Sequence, residues 1–126
     1  MKNRITNFVM KIFIVLITLT SVNLYAAAKT WNGSVSTDWN TAANWTNSGV
    51  PGSGDDVTIP TSPTGGRMPT ISSGTFETKK LTIQSGATLT QNGGTLTASD
   101  AISIAGSFIQ TAGTFSGTDV NINSAG

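Results

Sequence analysis

From Thr70 onward, apolar and polar residues alternate over short distances, and the alternation repeats. Leu89-Thr90-Gln91-Asn92-Gly93-Gly94-Thr95-Leu96 aligns without gaps on Phe108-Ile109-Gln110-Thr111-Ala112-Gly113-Thr114-Phe115. The Gln, Gly, Thr and bounding apolar positions all fall in register. Between these segments lie shorter apolar-x-apolar units: Leu81-Thr82-Ile83, Ile102-Ser103-Ile104 and Val120-Asn121-Ile122, at nearly the same spacing. A glycine soon follows each of them: Gly86, Gly106 and Gly126. Val57-Thr58-Ile59 reads as an earlier, irregular member of the set.

A repeat of about 20 residues with two or three short strands in each is the pattern of a solenoid. Strand side chains alternate between faces, so Leu81 and Ile83 point one way and Thr82 the other. Stacked coils then place Leu81, Ile102 and Val120 in one interior column and Ile83, Ile104 and Ile122 in the next. One coil alone buries almost nothing, and stacking makes the core. The expected fold is all-β, a right-handed parallel β-helix. An antiparallel β-sandwich also suits short strands with regular turn signals and is the alternative. Gly126 falls where earlier coils continue to Leu89 and Phe108, so the repeat is expected to end mid-coil. The sequence thus reads as the N-terminal piece of a longer protein or as a truncated reading frame, and terminal coils ordinarily carry a cap.

Four sections result. Residues 1–28 read as a signal peptide: a basic stretch to Lys11, an apolar run over Ile12–Leu19, and Ala26-Ala27-Ala28, where cleavage after Ala28 or Ala26 fits. The apolar run is too short for a membrane-spanning helix, which needs roughly 20 apolar residues. No membrane-crossing segment is expected once the leader is gone. Residues 29–60 carry all three tryptophans. Residues 61–69, with Pro63, Gly65, Gly66 and Pro69, read as a loop. Residues 70–126 hold the coils.

The tryptophan segment reads Thr30-Trp31-Asn32-Gly33-Ser34, Thr37-Asp38-Trp39-Asn40, Ala42-Ala43-Asn44-Trp45, Gly49-Val50-Pro51 and Asp55-Asp56-Val57-Thr58-Ile59-Pro60. It resembles the opening of large secreted bacterial β-helical surface and adhesin-like proteins, including type IX-secreted proteins and some with autotransporter-like repeats. The resemblance covers residues 30–60, and the later repeats share its style. It implies an exported scaffold at the cell surface, with binding functions downstream. Physically the segment suits a cap, because three indole rings so close together in the chain carry a large apolar area that can close the end of a column.

Composition narrows the chemistry. The chain has no Cys and no His, which removes disulfides, thiol chemistry and the commonest general base and zinc ligand. From Lys29 onward four Lys/Arg stand against six Asp/Glu, a net charge of −2. A mildly acidic chain without a basic patch does not suit nucleic acid. Ser and Thr abound, but no His activates them. The acidic residues lie mostly at turns, so the paired carboxylates of glycoside hydrolysis are not expected, and an enzyme is not expected.

Two candidate sites remain. Trp31, Trp39 and Trp45 could stack on sugar rings while Asp38, Asn40 and Asn44 bond hydroxyls, making a small carbohydrate-binding module for surface glycans. The competing reading buries the rings as a cap. Asp55 and Asp56 could hold Ca²⁺, although no D-x-D-x-D-G loop surrounds them, and the competing reading is a solvated turn. No other cofactor is implied. Asp100 and Asp119 are offset like Leu89 and Phe108 and are expected to stack at one corner. The leading reading is an exported structural scaffold, secreted or on the cell surface, whose partners are downstream coils of the same chain.

Overall fold

The structure, a computed structural model, describes residues 26–123. The leader reading over residues 1–25 and the Gly126 turn lie outside the described residues. Seven strands form one sheet: β1 (Ala28–Thr30), β2 (Asp56–Ile59), β3 (Thr70–Ile71), β4 (Thr75–Thr78), β5 (Lys80–Ile83), β6 (Thr88–Ile104) and β7 (Ser107–Ile122). All ladders between these strands are parallel. The chain is therefore a parallel β-solenoid of about 3 turns and not an antiparallel sandwich.

Register turns the sequence repeat into columns. Val57 lies opposite Leu81, Leu81 opposite Ile102, and Ile102 opposite Val120. Ile59, Ile83, Ile104 and Ile122 form the neighbouring row. On the second face Leu89 pairs with Phe108, and on the third Phe76, Leu96 and Phe115 align. β-Branched and apolar residues fit these pleats because each inward side chain packs on its equivalents above and below. The outward positions between them form hydroxyl and amide rows, such as Thr30, Thr58, Thr82, Ser103 and Asn121.

The solenoid begins earlier than the clear repeat. Val57-Thr58-Ile59 is a full member of the stack, and β1 adds one rung beyond it, with Lys29 opposite Val57. Asp38 bridges Thr70 in parallel, so the tryptophan segment crosses the second face as an irregular turn of its own.

Corners interrupt the long strands β6 and β7. Register shifts fall at Gln91/Asn92, Asn92/Thr95 and Ala98/Ala101. The last shift separates the two aspartates expected to stack. Ala98 still pairs with Gly117, but past the corner Ala101 pairs with Asp119, one position closer. Asp100 sits in the corner instead, 4.0 Å from Lys80 Nζ. Both side chains of that pair are about half exposed, so it contributes little to stability.

The glycines after the apolar-x-apolar units serve different ends. Gly86 adopts a left-handed φ of 81°. Gly106 is needed for space, since a Cβ there would collide with the carbonyl oxygens of Gln84 and Ala87.

Candidate functional site

Trp31, Trp39 and Trp45 converge at the N-terminal end. Trp31 continues the β1 ladder, its N–H bonding Thr58 O at 2.9 Å, and forms an antiparallel bridge with Trp45. Trp39 follows the Asp38–Thr70 bridge, and its own N–H donates to Thr70 O at 3.1 Å. A 3-10 turn over Ala42–Asn44 then returns the chain to Trp45. Trp45 packs edge-on against both partners, with ring centroids 5.0 Å from Trp31 and 4.7 Å from Trp39. Trp39 also lies against Phe76 of the third face, at 6.2 Å. Edge-to-face pairs of this kind add stability beyond area burial.

Burial settles what the rings can do here. They are 1%, 0% and 2% exposed. A sugar platform needs an open ring face, and in this structure the three rings are buried packing groups. Their polar ends are mostly used internally. Trp31 Nε1 donates to Arg67 O at 2.7 Å and Trp45 Nε1 to Trp39 O at 2.9 Å. Trp39 Nε1 is buried without a protein partner.

The polar residues beside the rings are also occupied by structure. Asn44 is fully buried, and its amide makes four bonds. Oδ1 accepts from Val35 N at 2.9 Å and Ser36 N at 3.0 Å, while Nδ2 donates to Ser36 Oγ at 2.9 Å and Asp38 O at 3.0 Å. Its hydrogen-bonding capacity is used within the cap, leaving nothing for a hydroxyl group. Asp38 is exposed, but Oδ1 accepts from Asn40 N at 3.0 Å and Oδ2 from Thr41 Oγ1 at 3.2 Å, as turn-forming aspartates do. Asn40 is exposed on the same turn.

Asp55 and Asp56 sit where the chain enters β2. Asp55 Oδ2 accepts from Gly52 N at 2.9 Å, and Oδ1 accepts from Ala27 N at 3.3 Å. Asp56 lies opposite Ala28 and Lys80 in the ladder, and its Oδ1 is buried without a partner. Calcium needs six to eight oxygen ligands. Among the described residues no group of three or more acidic, His or Cys side chains could hold a metal ion. The two carboxylates thus act as a turn and strand anchor in this structure.

Three structural roles were not read from the sequence. Lys29 occupies an inward ladder position and is nearly buried; its ammonium reaches the carbonyls of Asn47 at 3.5 Å and Ser48 at 3.4 Å. Its aliphatic stem lines the apolar column while the charged head escapes to the rim. Asn47 and Ser48 take left-handed φ values of 62° and 37° to present those carbonyls. Arg67 clamps the cap to the loop, with Nη1 3.1 Å from Gly33 O and 3.2 Å from Ser34 O. Gln91 lies fully inside the second face, bonding Gly94 O at 3.3 Å and Thr114 O at 2.9 Å. Gln91 could have been found, since it shares the inward phase of Leu89. Lys29 and Arg67 depend on loop contacts that leave no pattern in the chain.

The arrangement defines a scaffold, a parallel β-solenoid with one end sealed by an aromatic cluster. Residues 30–116 match the family described as a domain of unknown function, DUF8693, and the chain belongs to that family. No curated protein and no solved structure gives a significant match.

Proposed function

We propose that this domain is the N-terminal cap and opening coils of an exported, adhesin-like β-helical scaffold of a bacterial cell surface. It works through shape and stacking, and its partners are further coils laid on β7. The supporting observation is the condition of the β7 end. Phe108 and Phe115, with ring centroids 4.3 Å apart, are only partly covered, and Val120 and Ile122 are 46% and 70% exposed. Their equivalents one coil earlier, Leu89, Leu96, Ile102 and Ile104, are buried. Among the described residues nothing pairs with the outer edge of β7, one of the two longest strands. Such an edge, backed by an apolar interior, is a template for another strand. The leader-like sequence supports export, and the resemblance of residues 30–60 supports a surface scaffold.

The test is the size of the native protein, read by immunoblot of surface and culture fractions with an antibody to residues 29–126. A band far larger than this chain is expected. A band near 10 kDa, roughly the size of a 100-residue domain, would sink the scaffold reading.

A further inference from the structure

A leader that is removed must leave a new α-amino group next to β1, and the alanine run offers two places for it. The structure treats the two products differently. Ala27 is tied in by both of its backbone groups: its N–H donates to Asp55 Oδ1 at 3.3 Å, and its C=O accepts from Asp56 N at 3.0 Å. Ala26, just before it, is exposed. Cleavage after Ala28 would remove Ala27, take the acceptor from Asp56 N–H and the donor from Asp55, and delete the β1 residue that pairs with Asp56. Cleavage after Ala26 keeps every one of these bonds.

We infer that the leader is cut at the Ala26–Ala27 peptide bond and that the Asp55 carboxylate is the receptor for the α-ammonium of Ala27. This rests on the export reading above. In the step, water adds across the amide under a processing peptidase. Ala26 departs with the leader as a carboxylate, and the Ala27 nitrogen takes up protons to become an ammonium group. The neutral N–H donor to the Asp55 carboxylate thereby becomes a charged one, which adds an ion pair to a hydrogen bond that the carboxylate already strengthens.

The receptor is fixed in advance. Asp55 N donates to Gly52 O at 2.9 Å, Gly52 N holds Oδ2 at 2.9 Å, and Asp55 O accepts from Lys79 N at 2.8 Å. Only Oδ1 is left directed at Ala27. The charges nearest this receptor are Asp56 on one side and Lys29, Lys79 and Lys80 on the other. Asp56 is adjacent, and Lys80, opposite Asp56, is drawn toward Asp100. The Lys29 ammonium is held by the Asn47 and Ser48 carbonyls. The Asp55-Asp56 pair thus gains a role other than metal binding: leader removal completes the first rung of the solenoid.

The first measurement is the N-terminal peptide of the exported protein by mass spectrometry. A start at Ala27 is expected. A start at Lys29 overturns this inference and leaves the export reading intact, whereas a retained leader overturns both. The second measurement is thermal unfolding of the purified exported protein before and after acetylation of its α-amine. Near neutral pH acylating reagents modify α-amines ahead of lysine side chains, and peptide mapping shows which amine carries the acetyl group. Acetylation is expected to lower the melting temperature by about 3–5 °C, the scale of one surface ion pair in a domain of this size. The shift should vanish in Asp55→Asn and persist in Asp119→Asn, which removes the same charge elsewhere. Asp55→Glu, which keeps the carboxylate, should retain part of the shift if Asp55→Asn does not fold. An equal shift in wild type and Asp55→Asn would overturn the ion pair.

Discussion

Trp39 and Phe108 are both aromatic and both lie toward an end of the coil stack, yet one is fully buried and the other is partly open. At the N-terminal end an irregular turn folds three indoles over the first regular coils and ties them down through Asn44 and Arg67. At the other end the last coil presents its interior row and its strand edge. A repeat can continue itself only where the next copy follows the same register. A cap has to stop the repeat, and this one does so with the bulk of three indoles and with Asn47 and Ser48 in left-handed conformations that the coils give to glycine.

The comparison can be broken hardest at the sealed end. Trp39→Ala is expected to cost about 3–5 kcal/mol, as large-to-small changes at buried aromatics do. That is a large part of the roughly 5–15 kcal/mol that holds a domain together. Phe108→Ala should cost less than half as much, because part of its ring is already in water. Urea unfolding of the two variants measures the difference, and equal losses would erase the distinction between the ends.

Gly94→Ala is the next largest effect. Gly94 has φ 66°, and a Cβ would meet Gly74 O at 2.6 Å and the Ser73 carbonyl carbon at 2.8 Å. The left-handed backbone costs about 1–2 kcal/mol, and the collision adds to it. Gly66→Ala has the same handedness cost at φ 71° but open space around it. The gap between the two midpoints isolates the close approach of stacked coils.

Gln91 and Gln110 give a sharper pair, since they are the same residue in the same register one coil apart. Gln91 donates both within its own turn and to Thr114 O of the next coil. Gln110 makes only the first kind of bond, to Gly113 O at 3.0 Å. Gln91→Ala should cost about 1–3 kcal/mol as a buried carbonyl loses its donor, and Gln110→Ala a few tenths. If a further coil stacks on β7, adding it should raise the cost of Gln110→Ala toward that of Gln91→Ala.

The smallest stability effect belongs to Ile122→Lys on the open edge, expected within about 0.5 kcal/mol of wild type. Its readout is association: a lysine on an exposed strand edge should suppress edge-to-edge pairing, seen as less aggregate in light scattering. At the sealed end, tryptophan emission should be blue-shifted and resist acrylamide. A red-shifted spectrum would mean that the cap opens in solution.

The stack was legible because its rule is local. Alternation places Leu81 and Ile83 on one side, and the nearly constant spacing of the repeat stacks them on Ile102 and Ile104. Even the buried Gln91 obeys this phase. The offset falls from 19 between Leu96 and Phe115 to 18 between Ile102 and Val120, so a lost position was legible in the sequence, but only the structure puts it between Ala98 and Ala101, where it separates Asp100 from Asp119. In the cap no period exists to read. Whether a tryptophan faces water or another ring depends on which segments meet it, and Trp39 meets Phe76 from a distant part of the chain. The sequence by itself determined the repeat, its alternating interior rows and the wealth of indole at one end, since these follow from side-chain periodicity and composition, while the parallel ladders ruled out the antiparallel sandwich. Only the tertiary structure decided that the indoles are sealed, that Asn44 and Asp38 serve the cap and that Asp55 reaches Ala27, since each of these is a contact between segments that no local pattern connects.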